Sequence, residues 1–272
     1  MPPAAPRRMD PARPPPPALC AEPPLALLSF ANVSKCYPDG GREIVVLDAV
    51  SFEVGAGASV GVYGERGSGK STLLRLAAAI ESPDGGAIRF DGQDITRLSA
   101  AGRARLLRRQ VALLFGDDWL SSPGEIVLDH VAMSIGSGGL TLREAKHRAL
   151  AMLDTVGVSA VGAAERTASL SAAKRARVML ARALVREPKL LLVDEPVPMP
   201  SLTDHERFCA TLRRVTGERG IALLMASENL AALGGMGTLM SLSAGGELVS
   251  SGEEQGTVVR LAPRRAAASG PS

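Results

Sequence analysis

The residues Gly64-Glu65-Arg66-Gly67-Ser68-Gly69-Lys70-Ser71-Thr72 fit the spacing G-x-x-x-x-G-K-S/T. In such a loop the glycines let successive backbone N–H groups close around a polyphosphate, the lysine reaches the terminal phosphates, and the hydroxyl joins the shell of a Mg2+ ion. That chemistry makes 64–72 a candidate nucleotide loop, with Lys70 on the phosphates and Ser71 on the metal. A second chemical element is Leu190-Leu191-Leu192-Val193-Asp194-Glu195, four aliphatics that end in two carboxylates. A buried strand ending in an aspartate at the edge of a parallel sheet sets that group beside the phosphate loop, where it orients the Mg2+ shell through water. Glu195 is then placed to polarise an attacking water. Alone, this segment reads as an ordinary strand followed by an acidic turn; the upstream loop gives it a chemical reading.

Such a loop needs a strand before it and a helix after it. Val60-Gly61-Val62-Tyr63 is an apolar run leading into the loop, and the eight residues Thr72 to Ala79 have the composition of a helix whose N-terminal dipole holds the anion. Further β-rich segments are expected at Leu28 to Val33, Glu43 to Leu47, Ser59 to Tyr63, Gln110 to Phe115 and, after the turn Ser82-Pro83-Asp84-Gly85-Gly86, Ala87 to Phe90. Thr141-Leu142-Arg143-Glu144 is a capping-box sequence that opens a helix reaching Leu153. Leu190 to Val193 and Ile221 to Met225 read as buried parallel strands. The expectation is an α/β fold of 272 residues, one larger domain or one domain with a helical insert, with no internal repeat.

The bulk properties narrow the partners. A net charge of +3, with the basic residues spread out, falls short of a nucleic-acid footprint, so the cluster Lys174-Arg175-Ala176-Arg177 reads as a solvated helix face. Cys20, Cys36 and Cys209 are an odd number without C-x-x-C spacing, which points to reduced thiols, a cytosolic setting and no metal site of their own. No apolar run approaches the roughly 20 residues needed to span a bilayer, so a membrane role would come through a partner. The first 24 residues hold ten prolines and read as a disordered or polyproline tail; no apolar stretch follows Arg7-Arg8 to make a secretory signal.

Taken together, the loop and the acidic strand end resemble those of the ATP-binding cassette (ABC) ATPases, over roughly Leu28 to Glu253. The resemblance implies a P-loop fold with an ABC-type core sheet, an N-terminal antiparallel β subdomain and a helical insert. It implies ATP and Mg2+ as ligands, a second ABC domain as partner in a homo- or heterodimer, and a membrane permease-like subunit on the cytoplasmic face. Within Ser34-Lys35-Cys36-Tyr37, Tyr37 would stack on the adenine, a contact worth about 1–3 kcal/mol by analogy with other base–aromatic pairs. Asp91-Gly92-Gln93-Asp94-Ile95-Thr96-Arg97-Leu98, followed by Leu106 to Gln110, looks like the branch that holds the cell-division ATPase FtsE and the lipoprotein-release and MacB-type exporters. The implied boundaries are a tail at 1–27, an ATP-binding domain at 28–258 with the helical insert at about 96–185, and a flexible tail at 259–272.

Several family positions have changed. The signature loop, usually L-S-G-G-Q, is Leu170-Ser171-Ala172-Ala173-Lys174; Ser171 remains, able to cap a helix and a γ-phosphate, but two methyl groups stand where close backbone approach matters. Lys174 either adds attraction or is a surface helix residue. Gly116 occupies the place of the glutamine that senses Mg2+, and Ser201, after Pro198-Met199-Pro200, that of the inter-domain aspartate. Glu228 replaces a histidine that would donate to the γ-phosphate, and its carboxylate repels that group by at most about 4 kcal/mol at 4 Å. The pattern thus keeps ATP binding and the catalytic Glu195 while weakening the coupling between domains. It implies an ABC-type ATP hydrolase of reduced intrinsic activity in a transport complex; the alternative is a scaffold regulated by ATP binding without turnover.

Overall fold

The computed structural model describes residues 26–115, 124–136, 140–195 and 201–250. Strands β1 (Leu28–Asp39), β2 (Arg42–Val54), β4 (Gly85–Phe90) and β5 (Gln93–Asp94) form an antiparallel sheet in the order β2-β1-β4-β5. A second sheet contains β3 (Ser59–Tyr63), β6 (Val111–Phe115), β7 (Leu190–Asp194), β8 (Ala222–Ser227), β9 (Thr238–Leu242) and β10 (Leu248–Ser250), in the order β10-β9-β3-β8-β7-β6. Its strands pair in parallel except β10, which lies antiparallel on one edge. The N-terminal antiparallel sheet and the α/β core are both as the sequence implies.

Alternation along the strands divides the apolar side chains between two cores. Leu190 and Leu192 of β7 join Val60 and Val62 of β3 and the helix α1 (Lys70–Ala77) on one face. Leu191 and Val193 join α6 (Ala172–Leu184) and α7 (Leu202–Glu218) on the other. A strand covered on both faces needs an unbroken aliphatic run, which is why Leu190 to Val193 carries no polar residue before Asp194. α1 buries Leu73, Leu74 and Leu76 completely, at about 1.5–3 kcal/mol each relative to exposure. The helix after the phosphate loop is therefore fixed by its far face, and its N-terminus remains open.

Some elements differ from the sequence reading. β1 and β2 continue well beyond Val33 and Leu47 because register shifts between Phe30 and Cys36 bend the pair and let polar residues face solvent. α1 starts at Lys70 rather than Thr72, directly after the left-handed Gly69. The stretch 96–185 is not helical throughout: β6 lies inside it yet belongs to the core sheet, paired in parallel with β7. Helix α2 (Ala100–Arg109) precedes β6, and α3 (Val127–Met133), α4 (Leu142–Thr155), α5 (Ala160–Ala163) and α6 follow it. The capping box at α4 is formed, with Thr141 and Glu144 each accepting from the other's backbone N–H. No helix among the described residues is long and apolar enough to cross a membrane. Cys36 and Cys209 are unpaired, and burial pushes the Cys209 thiol up to about 11. The proline-rich start, with Cys20, and the final 22 residues lie outside the described residues.

Candidate nucleotide-binding site

The chain leaves β3 at Tyr63 and enters α1 at Lys70 through the glycine loop. Gly69 sits at φ 101°, and a Cβ there would lie 2.8 Å from the Val46 carbonyl oxygen, so the β2 backbone closes against the loop only because the side chain is absent. No side chain caps α1 and no acid occupies its first turn, so its first N–H groups remain available to an external acceptor. The Ser68 hydroxyl is buried without a partner. Lys70 is only 7% exposed and arches back to donate to the carbonyls of Gly64 and Glu65, each at 2.8 Å. Its ammonium also lies 3.8 Å from Oε1 of Glu228.

Over this loop opens a cavity of about 620 Å³. Arg66, Gly67, Gly69, Lys70, Ser71 and Thr72 form one wall, Asp194, Glu195 and Glu228 another, and Val46 a third. Asp194 ends β7 opposite Ala226 of β8. Glu195 follows at φ 46°, a left-handed conformation that costs a non-glycine residue on the order of 1–3 kcal/mol. Its own contacts hold it there. The backbone N–H donates to the Ala226 carbonyl at 3.0 Å, Oε1 accepts from the Ser227 hydroxyl at 2.8 Å, and Oε2 accepts from the Glu228 N–H at 2.9 Å. Ser227 is fully buried and its oxygen also accepts from the Asn229 N–H at 2.9 Å. The ends of β7 and β8 thus present Glu195 as one unit.

The remaining sequence candidates are more scattered. Tyr37 does not line the cavity, but its hydroxyl donates to Glu81 and lies 3.5 Å from Oγ1 of Thr72, which does. Burial, with the Glu81 contact added, raises the Tyr37 phenol above its usual range. The ammonium of Lys35 lies over the ring, 5.4 Å from its centroid. Glu65 and Ser68 stay behind the lining, the first lending its carbonyl to Lys70. Ser171 caps α6, accepting from the Lys174 N–H at 3.4 Å, and is not part of this cavity. Lys174 pairs with Glu165 at 2.7 Å, as a surface helix residue would. Ser201 caps α7 through Asp204, so its side chain is committed to the helix start. Gly116, Trp119 and Pro198 to Pro200 lie outside the described residues. Val46 and Ser227 were not foreseen; both are ordinary strand residues that the topology brings to the site.

Among the described residues no group of three or more His, Cys, Asp or Glu could hold a metal ion by itself. The Ser71 hydroxyl and the Asp194 carboxylate are hard oxygen donors suited to Mg2+, which usually keeps substrate phosphates and waters in its shell. The donor set therefore fits a metal that arrives with a nucleotide.

A glycine loop between a core strand and a buried helix, with an acidic strand end on the same cavity, defines a P-loop nucleotide-binding cassette. The ABC transporter family pattern matches residues 47–198, and the chain belongs to that family. It is 33% identical over 219 residues to the lipoprotein-releasing system ATP-binding protein LolD of Hyphomonas neptunium, covering 80% of this chain and 95% of that protein. The lipoprotein-release resemblance read from Asp91 to Leu98 is in accord with this. It is also 36% identical over 204 residues to the methionine import ATP-binding protein MetN of Caulobacter vibrioides, covering 75% of this chain and 60% of that longer relative. A dimeric ATP-binding cassette solved in a post-hydrolysis state with ADP and Pi shares the fold at a TM-score of 0.73, with 23% identity, covering 82% of this chain and 98% of that one.

Proposed function

We propose that this chain is the ATP-binding subunit of an ABC-type membrane complex, working as a dimer on the inner face of the cell membrane through a permease-like partner. The observation that carries the reading is the single cavity on which Lys70, Ser71, Asp194 and Glu195 converge from distant parts of the chain. The loop from Gly64 through Glu65, Arg66, Gly67, Ser68, Gly69 and Lys70 to Thr72 would hold the phosphates, Tyr37 the base, and Ser71 with Asp194 the Mg2+. When bound, Mg2+ neutralises charge on the phosphoryl oxygens. Glu195, its carboxylate oriented by Ser227 and the Glu228 N–H, would polarise the attacking water. Ser171 stands away from its own cavity, which fits a role on the nucleotide of the second subunit, as the family resemblance implies.

A groove of about 400 Å³ runs beside β6, walled by Leu107, Val111, Leu113 and Met179 and by Arg108, Arg182 and Arg186. Burial and the neighbouring Arg182 both lower the Arg186 pKa, so like charges are crowded there. An apolar segment of the membrane partner carrying carboxylates would relieve that crowding. Two measurements test the reading. Steady-state ATPase is expected to rise when the permease-like partner is added, and to be lost in Glu195→Gln. Membrane recovery is expected only with that partner, and to be lost in the double variant Arg182→Glu, Arg186→Glu or on placing a charge at Trp119. Recovery on membranes that lack any partner would sink the docking claim.

A further inference from the structure

We infer that Glu228 is a built-in competitor of the γ-phosphate for Lys70, so that this cavity holds a nucleoside diphosphate in preference to a triphosphate. The inference rests on the cavity being the nucleotide site and adds which nucleotide it favours. The Lys70 ammonium has three N–H donors. Two are taken at 2.8 Å by the carbonyls of Gly64 and Glu65, which are neutral and belong to its own loop. The anion beside it is Glu228, at 3.8 Å. A carboxylate oxygen and a phosphoryl oxygen are both anionic acceptors, so Glu228 already offers Lys70 part of what a terminal phosphate would.

A diphosphate ends at the phosphate that the open N–H groups of the loop and Lys70 hold, and it brings no further anion against Glu228. A triphosphate adds an anionic group on the side where Asp194, Glu195 and Glu228 all face the cavity. That group must share Lys70 with Glu228 or turn it out. Mg2+ and Arg66 can offset part of the repulsion, but they serve either nucleotide. The competition is graded rather than absolute. Hydrogen bonds from the Glu228 N–H to Glu195 and from the Asn229 N–H to Ser227 fix its backbone, while its side chain is 49% exposed and can swing into water. After hydrolysis the pair would re-form behind the departing phosphate, which favours retention of the diphosphate product.

The test is calorimetric titration of Mg-ADP and Mg-ATP into the full chain in a Glu195→Gln background, which keeps the triphosphate intact. Without further change, ADP is expected to bind about tenfold more tightly than ATP, a difference of roughly 1.4 kcal/mol. Adding Glu228→Gln, which keeps the shape and removes the charge, is expected to tighten ATP by a similar factor and to move ADP by less than about twofold. Glu228→His provides a second variant, expected to shift the ratio in the same direction. ATP and ADP changing in parallel, or a ratio unmoved by both substitutions, would overturn the inference. Failure of the parent protein to bind either nucleotide would instead overturn the reading of the cavity itself.

Discussion

Lys70→Ala is expected to abolish the stabilisation that Mg-ATP confers, which by linkage is about 2.7 kcal/mol at a hundredfold excess over Kd. The size follows from where the lysine sits. It is almost fully buried in the loop wall, and its ammonium is held by the loop carbonyls with the Glu228 carboxylate 3.8 Å away. Removing it takes an ammonium from the lining of a cavity that also holds Asp194, Glu195 and Glu228, so a polyphosphate would meet three carboxylates with less opposing charge. A melting curve with and without Mg-ATP separates this from any loss of intrinsic stability, because the nucleotide-free variant serves as its own reference. A shift of the wild-type size in Lys70→Ala would remove this loop as the site.

Turnover carries the second large effect. The isolated protein is expected to hydrolyse ATP slowly, and the combined changes Gly116→Gln, Ala172→Gly, Ala173→Gly and Glu228→His are expected to raise kcat by about one to two orders of magnitude. Glu228 now faces Lys70 as an anion where the family has a donor, and Ala172 and Ala173 open α6 immediately after its Ser171 cap. Their methyl groups stand where the resemblance places a close approach to the second subunit's nucleotide. The four changes should be non-additive, since one repair leaves the rest of a shared site incomplete. Single-turnover and steady-state rates on the four single variants and the combination would show this. Brisk wild-type hydrolysis, abolished by Glu195→Gln and not raised by the four changes, would mean that Ser171, Lys174 and Glu228 perform the work in another geometry.

Gly64 to Thr72 and Leu190 to Glu195 could be read from the sequence because each packs its chemistry into a few consecutive residues whose spacing is itself the constraint. The buried strands were legible for a related reason: a strand covered on both faces has little room for a polar residue in its buried middle, so Leu190 to Val193 and Val60 to Val62 stand out. In the bulged hairpin of β1 and β2 only Leu28 to Val33 and Glu43 to Leu47 stood out, since the rest carries many exposed residues and no regular alternation. β5, with two residues, and β10, with three, are too short for any period to show. Within the site, Ser227 and Val46 owe their positions to strand order, which no local pattern encodes. The left-handed backbone at Glu195 is of the same kind: only the neighbouring end of β8, reached through pairing, explains why a glutamate is held there.

The tether on Tyr37 bears on how much freedom is lost when a base arrives. Its hydroxyl is bound to Glu81 and lies close to Thr72, while Lys35 rests over the ring. Immobilising a flexible side chain at the moment of association costs about 0.5–1.5 kcal/mol. Here the ordering is completed when β1 docks on α1, before any ligand is present. The ring that we propose stacks the adenine is therefore preorganised, and base recognition carries a smaller entropic penalty than a freely rotating tyrosine would impose.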